Sequence, residues 1–295
     1  MSDPVPAAKR KVARELFGYR VRRVIGDGAW SRVYEVEDTK AHRALALKHV
    51  ISEGDKEDRY VDQLRAEWEI GRKLDHPAIR KLLSFEGEGL LNKLFRAKSN
   101  DVGLVMELID APPLSDMMRQ RMRPSIPECI GIFHDVASGL QHMHDKGFVH
   151  ADMKPLNILY DGDRRLTKII DLGQSVKIGT QKKRLQGSAG YISPEQTNEV
   201  SDKLYEAVTP ATDVFNFGAT MYAILAYGKL APAAQSKSKS VRIAEDELGP
   251  TGPLHASDRS IPEKLSIAIV GCLAQKPSDR TPMRKLIETL QSLRS

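Results

Sequence analysis

The hydrophobic period of this chain changes near the stretch DAPPL, residues 110–114, and no other feature limits the fold as much. Before it, apolar residues alternate with polar ones, the pattern of half-buried strands. YRVRRVIGDG (19–28) and SRVYEVED (31–38) alternate around a glycine-containing turn, RALALKHV (43–50) follows, and DVGLVMELI (101–109) comes later. The spacing predicts one helix among them, RYVDQLRAEWEIGRKL (59–74), with an inner stripe through Leu64, Glu67, Gly71 and Leu74. After residue 114 the period becomes helical. PECIGIFHDVASGLQHMHDKG (127–147) places apolar residues at 130, 133, 136, 137, 140 and 143, then Gly147 as a stop. DVFNFGATMYAILAYG (213–228) and MRKLIETLQSL (283–293) behave alike, and short strands fall around FVHADMKPLNILY (148–160) and LTKIIDLG (166–173). The chain therefore reads as a small strand-rich half followed by a larger helical half.

Composition excludes several classes. The 295 residues suffice for two core-bearing units or one two-lobed domain, and the formal charge of +6 reads as an evenly solvated surface, so nucleic acid is discounted as a partner. The longest apolar stretches, GATMYAILAYG and LSIAIVGCLA, fall short of the roughly 20 residues of a membrane span, and the N-terminus lacks the apolar core of a signal peptide. A cytoplasmic protein without a membrane partner is the expectation. Cys129 and Cys272, far apart in apolar helical patterns, read as buried thiols, and SKSKS (236–240) as a surface loop.

Four features follow one another in order. GDGAWSRV brings Gly26 and Gly28 between two strands, where backbone amides can approach phosphate oxygens, although a hairpin also uses glycine merely to turn. Lys48, on a strand with Ala44 and Ala46, points inward and needs a partner, for which Glu67 is available; an edge-strand surface lysine is the plainer alternative. In HADMKPLN, Asp152 can orient a hydroxyl and accept its proton, Lys154 can neutralise a transferring anionic group, and Asn157 can offer an amide oxygen to a cation. In KIIDLG, Asp171 leaves a buried strand and can offer a carboxylate to the same cation, a hard oxygen set suited to Mg²⁺. Either loop alone could be a capped turn.

Taken together, these motifs resemble the eukaryotic-type (Hanks-type) serine/threonine protein kinase catalytic domain, over about Tyr19 to Leu293. LALK matches the family's strand lysine, HADMKPLN its catalytic loop, DLG its metal motif, and GSAGYISPE the end of its activation segment. The resemblance implies an α+β bilobal fold: a leader at 1–18, a small antiparallel lobe and hinge at 19–109, a mainly helical lobe at 110–295, and an ATP cleft between the lobes. It implies ATP and Mg²⁺, with Mn²⁺ as an alternative, and a protein substrate bearing Ser or Thr. Gly26, Asp27 and Gly28 would cover the phosphates, and Lys48, held by Glu67, would bind them. Val33, Ala46 and Leu159 would sandwich adenine, with Met106 as gatekeeper and the backbone from Glu107 to Ile109 as hydrogen-bonding groups. Asp152 and Lys154 would act on the acceptor hydroxyl and phosphate, with Ser188 hydrogen-bonded near them. Asn157 and Asp171 would hold the metal, and Arg280 would pair with Glu195 while Asp213 braces the large lobe.

Three departures stand against that pattern. Ser31 replaces the third loop glycine. Ala151 replaces the arginine that in relatives binds a phosphate on the activation segment, which implies activity independent of that phosphorylation. Gly71, read as lying mid-helix, removes an apolar side chain from a buried stack. Either Trp68 or Met106 fills the gap, the favoured reading, or an activating partner or dimer contact must seat the helix. The rival readings are a pseudokinase-like scaffold, opposed by the complete set Lys48, Glu67, Asp152, Asn157 and Asp171, and a small-molecule phosphotransferase of kinase-like fold, opposed by the KP after Met153 and by GSAGYISPE.

Overall fold

The computed structural model describes residues 14–28, 30–51, 58–87, 101–183, 185, 187–201, 204–235 and 243–294. The chain divides into two compact units, residues 1–72 with 81–109 and residues 73–80 with 110–295. SKSKS lies outside the described residues.

The first unit is built on one antiparallel sheet. Its strands are β1 (Glu15–Leu16), β2 (Tyr19–Asp27), β3 (Arg32–Asp38), β4 (Arg43–Ile51), β5 (Leu82–Glu86) and β6 (Asp101–Glu107), in the spatial order β1-β2-β3-β4-β6-β5. Alternation sorts the side chains. Tyr34, Val36, Leu45, Leu47 and Val105 form a buried cluster, with Leu16, Phe17, Tyr19, Val21, Val24 and Leu83 packed on it. In register, Val33 pairs with Lys48, Lys48 with Leu104, and Ala46 with Met106. The alternation that buries one set therefore keeps Val33, Ala46, Lys48 and Met106 together on the other face.

Two parts of this sheet differ from the sequence expectation. β5 carries no clean alternation and is drawn in by pairing with β6. The last residues of the expected leader belong to the sheet: Leu16 pairs with Tyr19 across a two-residue turn in which Phe17 and Gly18 have φ of 52° and 84°. Left-handed values at both turn residues match the right-handed twist of a hairpin. Gly18 accepts this freely, whereas Phe17 compensates by packing edge-on to His49, ring centroids 5.6 Å apart.

Helix α1 (Asp58–Gly71) buries Val61, Leu64, Glu67, Ile70 and Gly71. It ends three residues before the predicted Leu74, so Gly71 is its last residue and not an interior one. A glycine at a helix end avoids most of the roughly 1 kcal/mol that an interior glycine costs. Residues 73–80, expected with the strand-rich half, belong to the second unit. They are stitched to β9 (Leu166–Ile169) by Ile169 N–H donating to Ala78 O (2.7 Å) and Arg80 N–H donating to Ile169 O (2.9 Å).

The second unit is mainly helical, with α2 (Leu114–Arg119), α3 (Ile126–Asp145), α4 (Pro194–Thr197), α5 (Pro210–Leu225), α6 (Glu263–Cys272) and α7 (Met283–Gln291). Ser125 caps α3 in a reciprocal pair with Glu128, and the predicted stripe 130, 133, 136, 137, 140, 143 is buried. Gly147, two residues past the end of α3, turns the chain out of the helix at φ 84°. α5 is buried from Thr212 to Leu225, and Phe217 meets Phe133 of α3 edge-to-face. Short strands β7 (Phe148–Val149) and β8 (Ile158–Asp161) flank the loop 150–157; β7 pairs with β10 (Val176–Lys177), and β8 with β9. Cys129 and Cys272 are free and buried, and burial pushes both thiols up to about 12. Among the described residues, no helix is long and apolar enough to cross a membrane.

Candidate active site

In the first unit, the inward lysine finds its partner. Lys48 Nζ donates to Glu67 Oε2 at 2.8 Å, with Glu67 3% exposed and Lys48 18%. A carboxylate so buried is retained because a cation meets it. Ala46 and Met106 are buried on the same sheet face as Lys48, and Val33 is half-buried. At the end of β6, the Glu107 N–H donates to Lys81 O at 2.9 Å. That removes one of the expected backbone groups; the Ile109 N–H has no partner among the described residues.

The glycine turn is tight. Gly28 N–H donates to Ser31 O at 2.9 Å, and a Cβ at Gly28 would sit 3.2 Å from that same oxygen. Arg32 donates to both oxygens of Asp27, each at 3.1 Å, so the Asp27 side chain closes the hairpin. Trp30 stacks on Tyr60 of α1, centroids 4.6 Å apart at 15°, and Arg59 lies over the Tyr60 ring at 4.6 Å. Sequence reading missed this clasp, because nothing local joins residue 30 to residue 60.

In the second unit, the loop 150–157 is fastened from below by Asp213 on α5, which is fully buried. Its carboxylate accepts from His150 N–H (2.9 Å), Ala151 N–H (2.7 Å) and His144 Nε2 (2.8 Å). Burial alone would push this carboxyl up; the His144 bond, the charges of His144 and His150 and the Ala151 amide outweigh it and hold the carboxyl below its ordinary range. Ala151 has φ 61°, a left-handed value that costs an L-residue about 1 kcal/mol. Asp213 and Gln196, whose Nε2 donates to Ala151 O at 2.8 Å, hold it there. The Ala151 methyl joins a buried apolar cluster with Val149 and Val208, against Val176.

Above this foundation the polar groups converge. Lys154 Nζ donates to Asp152 Oδ2 (2.7 Å) and to Ser188 Oγ (2.7 Å), and Ser188 Oγ donates to Asp152 Oδ1 (3.0 Å). Asp152 is 8% exposed, so both of its oxygens are aimed rather than solvated. Asn157 Nδ2 donates to Asp152 O at 2.9 Å, leaving the amide oxygen as an acceptor, and Asn157 O accepts from Ile170 N–H (2.9 Å), which ties the loop to the approach to Asp171. Asp171 is exposed, with φ 61°, and Leu159 is buried in β8. No group of three His, Cys, Asp or Glu side chains forms a metal cage among the described residues. An Asn oxygen and an Asp carboxylate fit Mg²⁺ that takes its remaining ligands from water and phosphate.

Farther out, Arg280 and Glu195 form a bidentate pair at 2.7 and 2.8 Å, with Thr212 Oγ1 donating to Glu195 Oε1 at 2.9 Å. Burial raises the Glu195 carboxyl, and the Arg280 bonds and charge bring it below its ordinary value. Sequence reading named neither His144 nor Lys182. His144 could have been found, as a histidine on the apolar stripe of α3. Lys182 could not: it stands in a polar run, yet it is 8% exposed.

A family model described as "Protein kinase domain" matches residues 19–290. Serine/threonine-protein kinase PknA of Mycobacterium tuberculosis is 31% identical over 69% of this chain and 46% of its own length. CBL-interacting serine/threonine-protein kinase 8 of Arabidopsis thaliana is 28% identical over 73% of the chain and 45% of its own length. Serine/threonine-protein kinase PLK4 of Drosophila virilis is 24% identical over 91% of the chain and 32% of its own length. The chain thus spans less than half the length of these relatives.

Proposed function

Because the chain belongs to the protein kinase family, we propose that it transfers the γ-phosphoryl group of ATP to serine or threonine hydroxyls of proteins, in the cytoplasm, without requiring a phosphorylated activation segment. The observation that carries this reading is the triangle of Asp152, Lys154 and Ser188. Asp152 orients the acceptor hydroxyl and takes its proton as the phosphorus–oxygen bond forms. Lys154 offsets the negative charge that spreads over the transferring group, and Ser188 keeps carboxylate and ammonium in register.

The first unit supplies the nucleotide contacts. Lys48, fixed by Glu67, binds the α- and β-phosphates; the turn at Gly26, Asp27 and Gly28 covers the phosphates, with the Gly28 N–H itself closing the turn on Ser31 O; Val33 and Ala46 face the adenine beside Met106. The Ile109 N–H is the group offered to the adenine edge, since the Glu107 N–H serves Lys81. Within the second unit, Asn157 and Asp171 are the residues that would hold Mg²⁺, and the family resemblance assigns Leu159 an apolar contact with adenine. When bound, the metal supplies positive charge against the phosphates. Ala151 accounts for the second half of the proposal: a methyl group offers a segment phosphate no hydrogen bond.

The test is incubation with Mg²⁺ and γ-labelled ATP, with histone as acceptor, beside Asp152→Asn and Asp171→Ala. Label on serine or threonine should fall at least 100-fold in both variants. Unlabelled protein that still binds Mg-ATP would overturn the catalytic reading in favour of a scaffold. Thr180→Ala with Ser175→Ala should retain activity; its loss in folded protein would overturn the second half.

A further inference from the structure

Position 151 gives the activation segment no charge, yet a buried charge is present, carried by the segment itself. Residues 179–182 run antiparallel to 205–208: Gly179 N–H donates to Val208 O (2.9 Å), Val208 N–H to Thr180 O (3.0 Å), and Tyr205 N–H to Lys182 O (3.0 Å), with a bridge between Gln181 and Ala207. This ladder turns the Lys182 side chain inward. Its ammonium donates to Gln174 O at 2.9 Å, eight residues earlier, and so closes the segment on itself. That is its one hydrogen bond among the described residues, out of three N–H donors. Two carboxylates act on its charge, Asp152 of the 150–157 loop and Asp213 of α5, both favouring the ammonium. Asp152 is itself held by Lys154 and Ser188, and Asp213 by His144.

A buried ammonium with one hydrogen bond is a costly filler, and a methionine would occupy similar space without the desolvation. The placement makes sense if the charge is used. We propose that Lys182 is a positioning residue for phosphoryl transfer: a cation within the activation segment that holds the segment in the form that brings Ser188 onto Asp152. It does from inside what an arginine at 151 and a segment phosphate do together in relatives. The inference rests on the protein kinase reading and on its independence from segment phosphorylation. It also explains how that independence is achieved. Burial brings the Lys182 ammonium down to about 8 against the pull of the two carboxylates. The pin is therefore charged at neutral pH and is lost above about pH 8.

The experiment uses the full chain after phosphatase treatment, with Mg-ATP and histone, and compares Lys182→Met with Lys182→Arg. Lys182→Met should lower kcat tenfold or more while the KM for ATP stays within twofold, and Lys182→Arg should restore most of the loss. Wild-type kcat should fall from pH 8 upward, and the arginine variant should keep its activity there, because a guanidinium stays charged. If Lys182→Met does not fold, the comparison of the two alkaline limbs decides. Wild-type kcat in Lys182→Met, an arginine variant as inactive as the methionine one, or identical alkaline limbs would each overturn the proposal. If phosphatase-treated wild type is itself inactive while untreated protein is active, phosphorylation independence is what has failed. An active treated wild type with an equally active Lys182→Met removes the pin alone.

Discussion

The glycine turn of the first unit and the 150–157 loop of the second are both short polar connections, and they are held in opposite ways. The turn is clasped from outside, by Arg32 on an Asp27 that is 60% exposed and by Trp30, 48% exposed, stacked on Tyr60. The loop is fastened from inside, by the buried carboxylate of Asp213 on two consecutive amides and by Asn157 on the Asp152 carbonyl. Exposed ion pairs in high dielectric contribute little and exchange easily with water. Buried charge-assisted bonds contribute more and fail all at once. Under the proposed function the first kind of fastening suits a turn that admits and releases a nucleotide, and the second suits a loop that aims a carboxylate.

The comparison breaks most visibly at Asp213. Asp213→Ala leaves two backbone amides and His144 without their acceptor in a fully buried site. The expected cost is about 3–5 kcal/mol of stability with near-complete loss of activity, read by denaturant unfolding and by turnover. Asp213→Asn keeps one acceptor oxygen and should fall between. Next is the Arg280–Glu195 pair: Arg280→Ala strands a buried carboxylate and should cost about 3 kcal/mol, with less loss of activity, because it touches no residue of the Asp152 triangle. Since the Glu195 carboxyl is held below its ordinary 4.5, this stabilisation is present above that value and is lost as pH falls through the folded value. The acid limb of stability should therefore flatten in a Glu195→Gln and Arg280→Met double variant.

Lys182 sharpens the comparison from a third side, since it is buried and yet destabilising at neutral pH. Its folded value of about 8 lies below the ordinary 10.5, so between these the unfolded chain binds more protons. Stability should rise with pH across that window, be full above 10.5 and be lost as pH falls through 8. The difference between wild type and Lys182→Met, measured from pH 7.5 to 9.5, should carry this slope; a flat difference would contradict it. Stability and activity are then expected to move in opposite directions above pH 8.

These contrasts show where the sequence is informative. Asp152, Lys154 and Asn157 lie within six positions, so a local stretch exposes them, and Lys48 is exposed by the alternation of its own strand. The pairing with Glu67 follows because α1 has one polar residue on its inner stripe. Features that depend on distant pairing were not legible. β5 exists because β6 lies beside it, residues 73–80 join the second unit through Ile169, and Phe17 tolerates its turn because His49 is near. Lys182 is the sharpest case. Next to Lys183 and Gln181 it reads as solvated, and only the ladder with 205–208 turns it inward. Gly71 failed differently, through a helix end placed three residues too late.

The smallest effects belong to the glycine turn. Trp30→Ala removes an aromatic stack worth roughly 0.5–1.5 kcal/mol, and much of that is recovered by hydrating an already exposed position. The KM for ATP should rise a few-fold with kcat within twofold, because the turn loses its clasp while Lys48, Glu67 and the Asp152 triangle stay in place. Arg32→Ala should cost less still, under about 1 kcal/mol, and the cost should shrink further in high salt, since Asp27 faces water. Thermal unfolding of both variants at low and high ionic strength is the measurement. A loss of 3 kcal/mol or more at either residue, insensitive to salt, would mean that this turn too is fastened from inside. The contrast between the two loops would then dissolve.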